Sequence, residues 1–302
     1  MTDSARSRPA ALRVLALLAL PLFLAAIYLV GLRPSQLHWG ATTDEVQRQM
    51  PGDLLVLSPS FNATRAITMD ASPKAVWPWL AQMGYRRAGF YGYDLIENIG
   101  SPKGIRSAET ILPDLQHPAT GDILPISVVA SMYFGEVQPG SFLVWRGAAT
   151  PSDGTIVWAI YPLAGGHTRL ARRVRLHYHW TSPALLFLDL FTEFADHVAV
   201  SRILRGIKAR AEGKPLQPLW EEAAELLTWA VALGAFSFAA FAVLKWRRWG
   251  RAWLLAFAAG LLLQFDLYAH APAWAGGVLT CGLLAAIAVV SRQGSQQSIR
   301  QD

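Results

Sequence analysis

The chain has 302 residues, of which 53% are hydrophobic and 16% are charged, so it is more apolar than an average soluble protein. Its net charge of +6 would suit a nucleic-acid-binding protein, but the basic residues flank apolar stretches and form no single basic patch. The only cysteine, Cys281, excludes an intramolecular disulfide and a cysteine-based metal site. The composition therefore indicates a membrane-associated protein with no nucleic-acid partner.

Four apolar stretches each approach the roughly 20 residues that a helix needs to cross a bilayer. They are residues 14–32, 226–244, 252–271 and 273–290. The first is long for the apolar part of a signal peptide and is followed by no clear cleavage site. We therefore expect it to be an uncleaved transmembrane anchor.

Basic residues lie at the ends of these stretches and predict their orientation. They are Arg6, Arg8 and Arg13, the loop 245–251, and Arg292 and Arg300. Cytoplasmic segments near transmembrane helices carry an excess of lysine and arginine. The pattern predicts that residues 1–13, the loop 245–251 and the tail 291–302 are cytoplasmic. The region between the first two spans is then extracytoplasmic.

The region after the first apolar stretch begins with an expected linker at 33–60, which contains three prolines. Residues 62–71 alternate weakly and favour a strand. Ser72 and Pro73 are typical of a helix start, and Gly84 is typical of a helix end. A strand followed by a helix thus opens the predicted domain.

Turn residues separate five further strand candidates, as expected for a meander of antiparallel hairpins. These candidates are residues 122–127, 131–137, 141–146, 155–161 and 168–180. A long helix starts at Ser182, and one of its faces is predicted to pack on the sheet. That face holds Phe187, Phe191, Phe194 and Val198 at spacings of three and four.

This order of elements predicts an α+β helix-grip fold, in which a curved antiparallel β-sheet surrounds a long C-terminal α-helix. The domain is expected at 61–214, and a second linker at 215–225 leads to the last three transmembrane helices. We expect about four transmembrane α-helices in all.

Several sequence blocks carry a family resemblance. They are "ITMDASPKAVWPWLAQMG", "RAGFYGYDLIEN", "SAETILPDLQHPATGD" and "TRLARRVR". With them, residues 62–213 resemble the START-like helix-grip superfamily, also called SRPBCC, which includes polyketide cyclase/dehydratase-like and lipid-carrying proteins. More narrowly, the chain is similar to bacterial members of unassigned activity. The resemblance implies a hydrophobic ligand and, with the predicted spans, a multi-pass protein of the bacterial inner membrane.

The strand candidate 168–180 places one arginine on an apolar face. Successive side chains alternate between the two faces of a strand. One face holds Leu170, Arg172, Val174, Leu176, Tyr178 and Trp180; the other holds Arg169, Ala171, Arg173, Arg175, His177 and His179. We expect the first face to be internal and the second to be solvated. A buried Arg172 needs a carboxylate or an anionic ligand.

The candidate partners of Arg172 are Asp94 and Glu97, which share one side if residues 93–98 are helical. Three interpretations remain open. The pair is a structural ion pair, or it forms the polar end of an apolar cavity, or Asp94 and Glu97 act as catalytic acid and base.

Aromatic residues predict the apolar wall of such a cavity, although the same residues are equally typical of a filled core. With the polar candidates Asp94, Glu97 and Arg172, the predicted ligand-binding set comprises Trp77, Tyr91, Tyr93, Tyr133, Trp145, Trp158, Tyr178, Phe191 and Phe194.

Two other pairs of polar residues are candidate sites. His177 and His179 share a strand face, but no third ligand lies nearby in the sequence, so we expect no metal. No motif for a cofactor is present, and we expect none. Asp266 and His270, in the third apolar stretch, would form either a buried pair or an interfacial pair, and we favour the interface.

The sequence therefore predicts a membrane-tethered protein that binds a hydrophobic small molecule, such as a lipid, isoprenoid or polyketide-like compound. The alternatives are a cyclase- or hydrolase-type enzyme that uses Asp94, Glu97 and Arg172, and a structural or sensory module with a filled core.

Overall fold

The computed structural model describes residues 4–147, 152–246, 249–270 and 272–299. Parts of the predicted N-terminal segment, basic loop, third apolar stretch and tail lie outside the described residues. The chain divides into two compact units. One is Ser35–Leu219; the other combines Met1–Pro34 with Trp220–Asp302.

The chain is helical toward both ends and contains both helices and strands in the middle. The helices are α1 (Ser4–Ile27, continued by a π-helical turn at Tyr28–Leu32), α2 (Arg33–Leu37), α3 (Thr43–Gln47), α4 (Pro73–Gln82), α5 (Asp94–Glu97), α6 (Pro183–Ala211), α7 (Leu219–Lys245), α8 (Gly250–Ala269) and α9 (Ala273–Ile299). The strands are β1 (Phe61–Met69), β2 (Ile123–Pro125), β3 (Ser131–Gln138), β4 (Phe142–Gly147), β5 (Ser152–Pro162) and β6 (Thr168–Tyr178).

The unit Ser35–Leu219 contains one six-stranded sheet with the order β1-β6-β5-β4-β3-β2. Every neighbouring pair is antiparallel. The first strand therefore pairs with the last, and the strands between them follow as a meander. The predicted α+β fold is confirmed in its antiparallel sheet and its long helix after the last strand.

Helices α4 and α6 bury their apolar side chains against the inner face of this sheet. The main hydrophobic core includes Val76 and Leu80 of α4, Val200 and Leu204 of α6, and inward residues of the strands such as Trp158. Pro78 lies inside α4, but the helix continues to Gln82. The core thus lies between the sheet and two helices.

The stripe of α6 that faces the sheet differs from the predicted one. The side chain of Phe191 is 56% exposed, and the side chain of Phe194 is half-buried; that of Phe187 lies outside the described residues. The stripe that lies inward is acidic in the N-terminal half of α6 and apolar in the C-terminal half. It comprises Asp189, Glu193, Asp196, Val200, Ile203 and Ile207. The predicted face was thus wrong for Phe191, whereas its last member, Val198, is buried as predicted. The prediction had excluded carboxylates from the core.

Residues 35–60, expected to be a linker, lie in the same unit as the sheet and cover its outer face. Met50 packs there against Val144, Val157 and Ala171. The short helix α3 is fixed by a capping box between Thr42 and Glu45. The outer face is therefore a second buried layer and is not solvated over its whole length.

Arg173 of β6 anchors this covering segment and is only 3% exposed, although we expected it to face solvent. Its Nη1 lies 2.6 Å from Asp53 Oδ2. Its guanidinium also donates to the backbone oxygens of Glu45, Val46 and Arg48, at 2.7–2.9 Å. One side chain thus joins three carbonyls and one carboxylate of the covering segment to β6.

The second unit contains α1, α7, α8 and α9, and its core consists largely of alanine. Ala235 and Ala239 of α7 and Ala256 and Ala259 of α8 are fully buried. Small residues allow transmembrane helices to approach closely. Four helices are long and apolar enough to cross a membrane, as predicted: Ala11–Leu37, Leu219–Lys245, Gly250–Ala269 and Ala273–Arg292.

We predict that Arg173→Met lowers the free energy of unfolding by about 3 kcal/mol or more, because Asp53 loses its buried partner. It should also expose residues 35–60 to limited proteolysis. The matched control is Arg175→Met, since Arg175 lies on the same face and, among the described residues, donates to two carbonyls of the segment, those of Val56 and Leu57, and to no carboxylate. Equal thermal stability and equal cleavage of the two variants would show that the ion pair of Arg173 with Asp53 adds nothing to the attachment of the segment.

Candidate functional site

The inner face of the sheet carries a transverse row of polar and aromatic side chains. Arg65 of β1 lies opposite Arg172 of β6, and Arg172 lies opposite Trp158 of β5. Trp145 follows on β4, two residues from Leu143, which is the partner of Trp158. The antiparallel register therefore places two guanidinium groups and two indoles side by side between the sheet and the helices.

Asp196 of α6 bridges the two arginines. Its Oδ1 lies 2.6 Å from Arg172 Nη2, and its Oδ2 lies 2.8 Å from Arg172 Nη1, so this pair is bidentate. Arg65 Nη1 donates to the same Oδ2, and Arg65 Nε donates to the backbone oxygen of Gln36 at 2.9 Å. This Arg65–Asp196–Arg172 triad links β1, β6 and α6.

Burial and charge act in opposite directions on the triad. Burial alone would raise the pKa of Asp196, but Arg172 and Arg65 stabilise its anion and hold that pKa below its ordinary value. Burial lowers the pKa of Arg65 in spite of Asp196 and Glu193. The pKa of His38 is also lowered, first by burial and then by the charge of Arg65. Asp196 is therefore ionised at neutral pH.

The prediction that Asp94 or Glu97 pairs with Arg172 was wrong. Asp94 Oδ1 instead accepts hydrogen bonds from Ser107 Oγ at 2.6 Å and from Asn98 Nδ2 at 3.1 Å. Glu97 Oε2 accepts from the backbone nitrogen of Gly92 at 3.2 Å. Both carboxylates thus order the chain around the single turn of α5, and Arg172 is paired with a residue from the long helix.

The aromatic candidates divide into buried and exposed groups. Tyr91, Tyr93, Trp145, Trp158 and Tyr178 are buried, and Trp77 is partly buried against the main core. Tyr133 is 43% exposed because the alternation of β3 turns Met132 and Phe134 inward instead. Tyr133 and Phe191 therefore do not line the interior.

The buried rings contact one another and Arg172. The ring centroids of Trp145 and Trp158 lie 5.6 Å apart, and Phe90 meets Trp145 edge to face at 6.4 Å. The guanidinium carbon of Arg172 lies 5.8 Å from the centroid of Trp158, within the range of a cation–π interaction. The triad and the indoles thus form one continuous site.

Four nitrogen donors of this site have no hydrogen-bond acceptor within the described parts of the chain. They are Arg65 Nη2, Arg172 Nε, Trp145 Nε1 and Trp158 Nε1. All four residues are at most 3% exposed. Buried donors almost always have a partner, so this concentration distinguishes the site from an ordinary core.

Tyr91 and Tyr93 form the adjoining wall. The hydroxyl of Tyr91 donates to the backbone oxygen of Trp79 at 3.1 Å, and burial raises the pKa of this hydroxyl. Arg210 lies 4.5 Å from the centroid of the Tyr91 ring. A Cβ at Gly206 would collide with the Tyr91 carbonyl, so glycine is required where α6 crosses this wall.

Arg65 and Asp196 were missed in the sequence analysis. A signal for Arg65 was present in the sequence. Arg65 shares one face of β1 with Ala63 and Ile67, as Arg172 shares one face of β6 with Leu170 and Val174. Asp196 also had a signal, since it continues the stripe of Val200 and Ile203 at helical spacing. When one element carries a cation on its apolar face and another element carries an anion on its apolar face, a buried ion pair between the two is expected.

The remaining polar candidates have other partners. Asp266 is buried, and its Oδ2 accepts a hydrogen bond from Trp229 Nε1 at 2.9 Å. His270 Nδ1 lies 3.4 Å from Glu225 Oε1. His177 Nδ1 lies 2.6 Å from the backbone oxygen of Ser58. Among the residues that the structure describes, no three His, Cys, Asp or Glu side chains are grouped to hold a metal ion.

Comparison with known proteins gives structural similarity without sequence similarity. No family model and no curated protein matches the chain. A protein from Mesorhizobium loti matches at 14% identity and a TM-score of 0.32, over 52% of this chain and 100% of that protein. A polyketide-cyclase-like protein from Corynebacterium glutamicum matches at 10% identity and a TM-score of 0.33, over 49% and 88%. CalU16 from Micromonospora echinospora matches at 17% identity and a TM-score of 0.30, over 53% and 79%.

We predict that Asp196→Asn lowers the free energy of unfolding at pH 7 by about 3–5 kcal/mol, because two buried guanidinium groups lose their shared anion. Since the folded-state pKa of Asp196 lies below 3.8, the stabilisation by Asp196 is present above about pH 4 and is lost as pH falls through the lower value. The variant should therefore show a smaller loss of stability on acidification.

The measurement is thermal unfolding of the full chain between pH 7 and pH 3, with Asp114→Asn as an exposed-carboxylate control. Unfolding of D196N at the same temperature as D114N throughout this range would rule out a stabilising role for the triad.

Proposed function

We propose that the protein is a membrane-tethered binder of a hydrophobic small molecule, such as a lipid, an isoprenoid or a polyketide-like compound. The ligand would lie between the sheet and helices α4 and α6 of the unit Ser35–Leu219. The observation that carries the proposal is the continuity of the Trp145–Trp158 pair with the buried Arg65–Asp196–Arg172 triad. Ligand sites are typically apolar and aromatic, with a few fixed polar groups.

The chemistry of the triad supports binding more than catalysis. Proton transfer at neutral pH favours a group whose pKa lies near 7. Asp196 is instead held ionised by two guanidinium groups. Asp94 is fixed by the hydroxyl of Ser107 and the amide of Asn98. Asp94, Glu97 and Arg172, which the enzyme hypothesis treats as one group, thus have separate partners.

The apolar helices support the tether. Four helices long and apolar enough to span a bilayer flank the sheet domain in the sequence. We propose that they hold the protein in the bacterial inner membrane, with the domain on the extracytoplasmic side. A tether keeps the site close to the bilayer, where an apolar ligand is most concentrated.

A second candidate is a structural or sensory module whose interior is simply a filled core. The contiguous main core, in which Trp145 and Trp158 pack with Leu143, Leu170 and Leu204, favours this alternative. Occupancy by a ligand separates the two.

We predict that the full chain, purified in nanodiscs, carries an apolar compound that native mass spectrometry detects at about one per chain. Arg172→Leu should remain folded, because Asp196 keeps Arg65 as a partner, but its occupancy should fall severalfold. Arg175→Leu, on the opposite face of β6, should retain the ligand. A folded wild-type protein that carries no apolar compound would favour the filled-core module, and equal occupancy of R172L and R175L would exclude the triad from binding.

We also predict the topology. A phosphatase reporter that is active only outside the cytoplasm should be active when inserted after Lys214 and inactive when fused after Asp302. The reason is the excess of basic residues in the loop 245–251 and near both termini. The opposite pattern of activity would reverse the proposed orientation.

A further inference from the structure

We propose that the group of the ligand that enters the row Arg65–Arg172–Trp158–Trp145 is an acceptor of hydrogen bonds only: a carboxylate or carbonyl oxygen attached to an apolar body. This inference rests on the proposed function and adds the chemical class of the ligand. Its basis is the character of the four buried nitrogens that have no acceptor among the described residues.

The four groups are all donors. An indole Nε1–H donates and cannot accept, and a guanidinium has five N–H donors and no acceptor. The register places Arg65, Arg172 and Trp158 directly beside one another on three adjacent strands. A protonated amine placed there has hydrogens and no lone pair, and a hydroxyl carries one hydrogen that needs an acceptor of its own, whereas a carboxylate or carbonyl oxygen accepts without donating.

Burial makes each unmatched donor costly. Arg65 is fully buried, Trp158 is 1% exposed, and Trp145 and Arg172 are each 3% exposed. A buried donor without a partner costs about 1–3 kcal/mol, and more when the group is charged. An acceptor from the ligand recovers this cost, so the donors favour oxygenated ligands over hydrocarbons of the same length.

The charges of the row are compatible with a carboxylate without requiring one. Arg65 and Arg172 share a single carboxylate, that of Asp196. Glu193, one turn earlier on α6, is also buried and raises the pKa of Arg65 through its charge. The donors therefore define the class of the ligand group, and a neutral ester carbonyl satisfies them as a carboxylate does.

The experiment uses four probes with the same sixteen-carbon chain and different ends: hexadecanoate, methyl hexadecanoate, hexadecylamine and hexadecane. Binding of radiolabelled probes to the full chain in nanodiscs is measured against empty nanodiscs, which corrects for partition into the bilayer. We expect the acid and the ester to bind at least about tenfold more tightly than the amine and the alkane, since one hydrogen bond to a buried donor is worth roughly a factor of ten.

Two variants identify the donors. Trp158→Phe and Trp145→Phe remove the indole N–H and keep an aromatic ring. Each should weaken the acid and the ester by about tenfold and change hexadecane binding much less. The control is Trp180→Phe, because Trp180 is 57% exposed and its indole nitrogen already donates to Asp189 at 3.1 Å.

The outcomes separate this inference from the proposed function. If the acid and the ester bind no better than hexadecane, or if W158F and W145F weaken all probes equally, the acceptor rule is overturned. If the purified protein then still carries an apolar compound, the proposed function stands without that rule. If it carries none, the proposed function fails as well.

Discussion

The ion pairs of Asp196 with Arg65 and Arg172 are the constraint on which the domain depends. Two guanidinium groups on the inner face of a sheet are tolerable only when a carboxylate reaches them. Asp196 supplies it from the long helix, so the same contact fixes the position of α6, joins the first strand to the last and keeps charge inside an aromatic core. Removal of Asp196 leaves two buried guanidinium groups without an anion, whereas removal of one arginine leaves Asp196 paired with the other.

Buried or partly buried arginine–carboxylate ion pairs also occur on the outer face of the sheet, with different partners. Arg173 follows Arg172 and therefore points the opposite way, where it meets Asp53 and backbone oxygens of the covering segment. Arg169 likewise pairs with Glu45 at 2.7 Å. Consecutive arginines on one strand thus attach a helix on one side and an N-terminal segment on the other. The charges of β6 hold three layers together.

The inner layer combines close packing with hydrogen-bond donors that lack acceptors in the described parts of the chain. Its indoles and guanidinium groups supply both the packing of the core and donors that the chain leaves without acceptors in its described parts. A ligand that provides oxygen atoms would complete the polar pairing of the interior. On either side of the domain in the sequence lie four helices that are long and apolar enough to cross a membrane.

The sequence by itself determined the elements: alternation gave the six strands, helical periodicity gave the long helix, and apolar length gave the four candidate spans. It also placed Arg172 inside, because one charge on an apolar strand face is visible from period two alone. Only the tertiary structure decided the partners. Arg172 pairs with Asp196 and not with Asp94 or Glu97. The side chains of Tyr133 and Phe191 are exposed, and residues 35–60 cover the outer face of the sheet. The physical reason is that periodicity fixes which side of an element a residue occupies, whereas an ion pair depends on distances between elements far apart in the chain.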